Sequence, residues 1–321
     1  MVDMSGRKWI AREIEKLDPY TDYAEIIRLA ATYRSNDAFM DLIYSVTFPN
    51  FITGNHGSRS IVRNGKGKVV RHMERRMDDT SRHILIWTEY GPDHEYTKRS
   101  IDSLNQLHKF WSKHYPEGFE PVEDWQYVIA YEVTLFHRLL RRVGAKGFSE
   151  KEKIASYEFY KRIAPQFRRV LTDEPIPITF QNFDDCMEFV ERYENTRRAE
   201  NPDKHLVQKY VIDAFATRNF PRFLQPAMRQ LIYALMPEGT MKNWRIRQNP
   251  IARFLARRAF RAFLWIGENI APDPKISHPE RIRQRDGLTE EEYVAQVARG
   301  MKSQPTPESD RIDDTAAIPA A

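Results

Sequence analysis

Val69-Val70-Arg71-His72-Met73-Glu74-Arg75-Arg76-Met77-Asp78-Asp79-Thr80-Ser81-Arg82-His83-Ile84-Leu85-Ile86-Trp87 contains no proline or glycine. Good helix formers dominate it, so the stretch reads as one helix over roughly 69–88. Positions 76, 79, 80 and 83 obey the i, i+3, i+4, i+7 rule, which places Arg76, Asp79, Thr80 and His83 on one face, able to surround one object. Gly91-Pro92-Asp93 then stops the helix and turns the chain.

Outward from that stop, a second helix is expected from about Tyr96 to Trp111, with Ile101, Leu104, His108 and Trp111 along a single stripe. An imidazole in an apolar row loses hydration and needs a partner for each nitrogen. A metal on one nitrogen and a carbonyl or carboxylate on the other meets that need, and so does a core histidine bonded to backbone; spacing leaves both open. Asn105, one turn before His108, is placed to orient the segment by hydrogen bonding or to stand as an exposed amide.

The rest of the chain repeats the helical pattern. Further helices are expected near 4–16, 20–33, 36–47, 121–143, 149–171, 182–199, 203–217, 221–235 and 250–268, with a last short one from Thr289 to Arg299. Gly144 follows Arg141-Arg142-Val143 as a helix stop, and Ser149-Glu150-Lys151-Glu152 has the pattern of a capping box. There is no set of alternating strands and no phosphate-cradling glycine loop in a strand–helix setting. The fold class read from this is all-α, a single large bundle-like domain of many helices. The glycine-bearing Gly54 to Lys68 stretch reads as a connecting loop or lid, and the Pro-, Ser- and Asp-rich segment from Met301 to Ala321 as a disordered tail.

Composition narrows the function classes. A chain of 321 residues can bury a large core, and its 12% aromatic content supplies bulky lining for a lipophilic pocket. Fifty Lys and Arg against 45 Asp and Glu is a mild excess that does not call for nucleic acid. No apolar run approaches the about 20 residues needed to cross a bilayer, and the first residues lack the apolar core of a secretion signal, so a cytoplasmic protein is expected. The single cysteine, Cys186, excludes an internal disulfide and is expected to be buried and inert. Arginines crowd the stretch from Trp244 to Trp265, where apolar Ile251, Phe254 and Leu255 alternate with them around a helix. That pattern suits core packing on one side and either solvent or anionic lipid heads on the other, so a peripheral membrane contact is compatible with it.

Five segments, in this order, resemble the family that joins the MpaB-type oxygenase to the rubber-cleaving latex clearing proteins. They are Asp18-Pro19 with Glu25-Ile26-Ile27-Arg28-Leu29, Arg76-x-x-Asp79-Thr80, Ser103-Leu104-Asn105-Gln106-Leu107-His108, Tyr157-Glu158-Phe159-Tyr160-Lys161-Arg162, and Pro221-Arg222-Phe223-Leu224-Gln225-Pro226. The resemblance divides the chain into an N-terminal helix (1–17), a catalytic domain (18–280), a short C-terminal helix (281–300) and the tail (301–321). It implies an all-helical haem b enzyme with a haem pocket, using dioxygen to modify or cleave a C=C bond of a hydrophobic, isoprenoid-type small molecule. By the match, His108 resembles the proximal haem ligand and the metal-binding residue, Arg76 and Thr80 resemble the arginine and threonine beside the haem, and Asn105 joins the cofactor site. Rubber-cleaving members carry a lysine where this chain has Asp79, so Asp79 is expected either to accept or move a proton or to pair with Arg75 or Arg76.

Two other readings remain open on the residues alone. One is a non-haem iron oxygenase built from His83, Asp79 and His108. The other is a haem-free helical protein that binds or scaffolds isoprenoid lipids. His137, in an apolar helix, is a further candidate acid or base, or a core residue.

Overall fold

Caps and breakers set most of the helix boundaries in the computed structural model of the chain, which describes residues 2–52, 57–199 and 201–302. The described residues hold 16 helices and no strand, which makes the molecule all-α. Helices α1 (Trp9–Lys16), α2 (Tyr23–Ala31) and α3 (Asp37–Phe51) come first. The Asn36 side chain caps α3 by accepting from Phe39 N at 2.9 Å. This helix continues through Pro49, beyond the expected end at 47, because a proline in the last turn forfeits only one intrahelical bond.

The helix expected over 69–88 is two helices. After α4 (Gly57–Val62), which lies in the segment read as a loop, come α5 (Lys68–Arg71) and α6 (Met73–Tyr90), separated at His72, whose dihedrals are not helical. On a continuous helix Lys68 and Asp79 would stand about 16 Å apart along the axis. The break lets them form an ion pair. Gly91, at φ +82°, ends α6 where expected.

Next are α7 (Glu95–Ser112), α8 (Val122–Arg142) and α9 (Glu150–Ile163). The capping box of Ser149 and Glu152 opens α9 as its sequence predicts, but the helix stops at Ile163 instead of 171. Pro165 removes a backbone donor there, and the chain tightens into a short 3₁₀ turn. Then follow α10 (Phe183–Asn195), α11 (Pro202–Asn219), α12 (Gln225–Leu235), α13 (Glu238–Asn243), α14 (Pro250–Asn269), α15 (His278–Asp286) and α16 (Glu290–Lys302). The C-terminal piece expected as one helix over 281–300 is thus a pair. The segment read as a tail is helical as far as Lys302, and its remainder lies outside the described residues, as do Gly54, Asn55 and His56 of the loop.

Helix α6 is the central element, packed against α2, α3, α5, α7, α11, α15 and α16. One large apolar cluster runs from Trp9 and Ile10 of α1 through Phe260 of α14. A smaller one, with Leu85, Ile86, Ile282, Tyr293 and Val294, forms where α15 and α16 cover α6 and α7. Between α8 and α10 the buried Arg138–Glu194 pair also takes a hydrogen bond from Tyr127 at 3.0 Å, so both glutamate oxygens are satisfied. Cys186 is buried in α10, its thiol pushed up to about 12 by burial and then by Asp185. Among the described residues, no helix is long and apolar enough to cross a membrane.

Candidate functional site

The polar face of α6 meets three different neighbours. Arg76 and Thr80 converge on the hydroxyl of Tyr44 in α3, Arg76 Nε donating to it at 3.1 Å. The Arg76 guanidinium also lies 4.5 Å from the centre of the Phe48 ring, and Tyr44 stacks on Phe48 at 4.9 Å. Burial pushes the Tyr44 phenol up to about 12, so it stays protonated. Among the described residues no carboxylate pairs with Arg76, and its charge is held by a hydroxyl and an aromatic face.

Asp79 turns the other way, to Lys68 of α5. This corrects the expected pairing with Arg75 or Arg76. Burial pulls the Lys68 ammonium down, and Asp79 opposes that shift. A lysine therefore does stand beside position 79, delivered by a separate short helix. His83 faces α7, with Nδ1 at 2.6 Å from Ser100 Oγ, which accepts from Trp87 Nε1 at 2.9 Å. The Ser100 hydroxyl thereby ties the His83 and Trp87 rings of α6 to α7, and the other imidazole nitrogen, Nε2, faces the interior. That Nε2 is buried and has no hydrogen-bond partner.

His108 projects from α7 against the aromatic side of α8. Its ring centre lies 5.0 Å from Trp125 and 5.7 Å from Phe119, and its Nδ1 is sealed from solvent without a hydrogen-bond partner. Burial, then the Arg76 cation, pushes its pKa down to about 4. Burial, then His108 and Lys68, pushes His83 down to about 3. Both imidazoles are neutral at pH 7, each with one orphaned buried nitrogen. An orphan of this kind carries a desolvation cost, relieved by an acceptor where the nitrogen bears the proton and by a donor or a metal where it bears the lone pair.

Asn105 is engaged at both ends of its amide. Its Nδ2 donates to Gln166 O at 2.9 Å and its Oδ1 accepts from Arg168 N at 3.1 Å, so it ties α7 to the turn after α9. The set His83, Asp79 and His108 is not assembled, for among the described residues no three His, Cys, Asp or Glu side chains are grouped to hold a metal. His137 Nδ1 accepts from Phe148 N at 3.0 Å, with its ring against Phe183, which is a core role.

Two surface depressions lie elsewhere. One of about 80 Å³ is walled by Asp37, Asp41, Arg82, Arg218, His278 and Arg285. An open groove of about 490 Å³ lies between the start of α6 and α11, lined by Arg71, His72, Arg75, Tyr210, Asp213 and Thr217. Neither includes His108.

Three functional candidates escaped the sequence reading: Tyr44, Lys68 and Glu132. Glu132 lies two turns from Trp125 on the same face of α8, and Tyr160 of α9 donates to its Oε2 at 3.5 Å. Burial pushes its carboxyl up to about 7. A glutamate inside Ile129-Ala130-Tyr131-Glu132-Val133-Thr134-Leu135 was a signal open to the reader of the sequence.

The catalytic-domain model described as ER-bound oxygenase mpaB/B'/Rubber oxygenase matches residues 38–266, which spans α3 to α14 and every side chain of the site. No curated protein matches the chain.

Proposed function

Because the chain belongs to the family of MpaB-type and rubber oxygenases, we propose that it is a haem b-dependent oxygenase acting with dioxygen on a C=C bond of a lipophilic, isoprenoid-type substrate. The observation that supports haem most directly is the sealed, partnerless Nδ1 of His108 on a ring kept neutral by burial. Such a ring fits axial ligation, which uses the neutral imidazole. Arg76 fits the same group. It is a cation without a carboxylate partner among the described residues, and a propionate is the counter-ion a guanidinium prefers. Haem, when bound, supplies the redox chemistry that dioxygen needs to react with an alkene.

The chain's own residues then hold, orient and exclude. Tyr44 and Phe48 fix the Arg76 guanidinium. Thr80, at the Tyr44 hydroxyl, adds a group that can pass or hold a proton beside the site. Trp125 and Phe119 keep water from the His108 ring and offer an apolar wall to a hydrophobic substrate. Asp79, committed to Lys68, takes a positioning role for α5 on α6 rather than a proton-transfer role.

The test is optical. Protein purified from cells supplied with a haem precursor should show a Soret band, and His108→Ala should lose it while far-ultraviolet circular dichroism stays unchanged. Colourless wild-type protein from haem-replete cells would overturn the proposal. Iron without porphyrin in metal analysis would do the same and point to non-haem iron.

A further inference from the structure

Helix α14 turns its apolar side outward. Ile251, Phe254, Leu255, Phe263, Trp265 and Ile266 are each about half or more exposed, and Phe260 is the only buried side chain in the helix. At 3.6 residues per turn those six cover about half of the circumference. The opposite side holds the helix down. Leu264 packs against the main core, Arg257 Nε donates to Ala234 O at 2.9 Å, and Arg253 pairs with Glu238 at 3.5 Å. At the C-terminal end Lys8 and Arg7 donate to the carbonyls of Gly267 and Ile270, each at 2.7 Å. Single exposed apolar side chains are ordinary, but six on one helix face mark an interaction surface.

Charge decides what that surface meets. Seven lysines and arginines stand between Glu238 and Glu268 with no Asp or Glu among them; with Arg253 and Arg257 on the anchoring side, Arg258 and Arg261 are left to the outer side of α14. Exposed Arg258 sits inside the apolar face, its guanidinium 5.2 Å from the Phe254 ring. A second copy docked across a two-fold axis would set this cationic face against itself. An anionic bilayer satisfies both features, taking the aromatic and aliphatic side chains among its acyl chains and the arginines at its phosphates. We propose that α14 lies in the plane of an anionic membrane surface and docks the protein there. No residue of the His108 site enters this inference, so it stands or falls separately from the haem reading.

The test uses the full chain and vesicles of phosphatidylcholine with or without phosphatidylglycerol. The protein should sediment with the anionic vesicles and not with the zwitterionic ones, and its tryptophan emission should shift to the blue. Trp265→Phe should still bind but lose most of the shift. The double variant Phe254→Ser/Trp265→Ser should bind roughly tenfold or more weakly with unchanged thermal unfolding, since both side chains are exposed. Protein left in the supernatant with anionic vesicles, equal binding to both vesicle types, or a double variant that binds like wild type would overturn the proposal. So would a dimer, seen by light scattering, that the double variant dissociates, for the face would then belong to a second copy.

Discussion

Glu132 accepts a long hydrogen bond from Tyr160 in a place that has no cation to favour the carboxylate. Burial pushes Glu132 up to about 7 from an ordinary 4.5. Between those two values the folded chain keeps a proton that the unfolded chain has lost, so stability falls as pH rises through the window, by at most about 1.4 kcal/mol per pH unit. Below the window the carboxyl is neutral in both states and the cost vanishes. Glu132→Gln retains a neutral partner for Tyr160 and removes the titration. Urea unfolding should therefore find the variant more stable than wild type by about 1–3 kcal/mol at pH 8 and equal to it at pH 4. The same gap at both pH values would show that Glu132 is not the titrating group. At this scale the sequence is a good guide to single residues in apolar rows and a poor one to their partners. His108 stood out because its stripe neighbours Ile101 and Leu104 are apolar, and it is indeed sealed on one nitrogen. Nothing in the spacing could place Tyr44 at Arg76 or Lys68 at Asp79, since both pairs depend on how helices are laid against each other.

Short helices are where element boundaries depart from the sequence pattern, and for one reason. A helix of one or two turns is not stable by itself and forms only where its neighbours hold it. Helices α4, α5 and α13 are of that kind, whereas α7, α8 and α14 have enough periodicity to be read directly. Helix α15 starts ahead of the expected 281, where Ser277 caps it by accepting from Glu280 N, with Pro279 in the first turn. For α5 the holding contact is the Lys68–Asp79 pair, with 9% and 21% of the side chains exposed. Removing one partner leaves the other poorly solvated and unpaired, so Lys68→Met and Asp79→Leu should each cost about 2–4 kcal/mol. The double variant should cost less than either single change, because no uncompensated charge is left. Equilibrium denaturation of the four proteins measures the cycle. Additive losses would mean that the pair does not hold α5 to α6. On the haem proposal, a double variant with the same Soret absorbance as wild type would separate this positioning role from cofactor binding.

The whole molecule is larger than the segment that carries the site. Residues 38–266 match the oxygenase catalytic domain and contain Arg76, Asp79, Thr80 and His108, yet the structure draws support from both sides of that span. Trp9 and Ile10 are fully buried in the main apolar cluster, and Trp9 Nε1 donates to Pro274 O at 3.2 Å, so α1 meets the segment between α14 and α15. Asp273 is buried where it accepts from Ile10 N at 3.0 Å and pairs with Arg34 at 2.8 Å. On the other side Tyr293 and Val294 of α16 are fully buried with Leu85 and Ile86 of α6, the helix that presents the polar face. Each such large side chain contributes about 2–4 kcal/mol when its burial is lost, and a domain's net stability is only about 5–15 kcal/mol. Removing α1, α2, α15 and α16 together therefore removes more than the fold has in reserve. A fragment comprising residues 38–266 should be expressed as insoluble or proteolytically labile protein, although it keeps every side chain of the site. The full chain under the same conditions should give a single cooperative unfolding transition. A soluble fragment with native helicity and a cooperative melt would mean that the terminal helices are accessories. The fragment's failure would instead assign the flanking helices, α1 and α2 on one side and α15 and α16 on the other, the work of holding α6 and α7 in place.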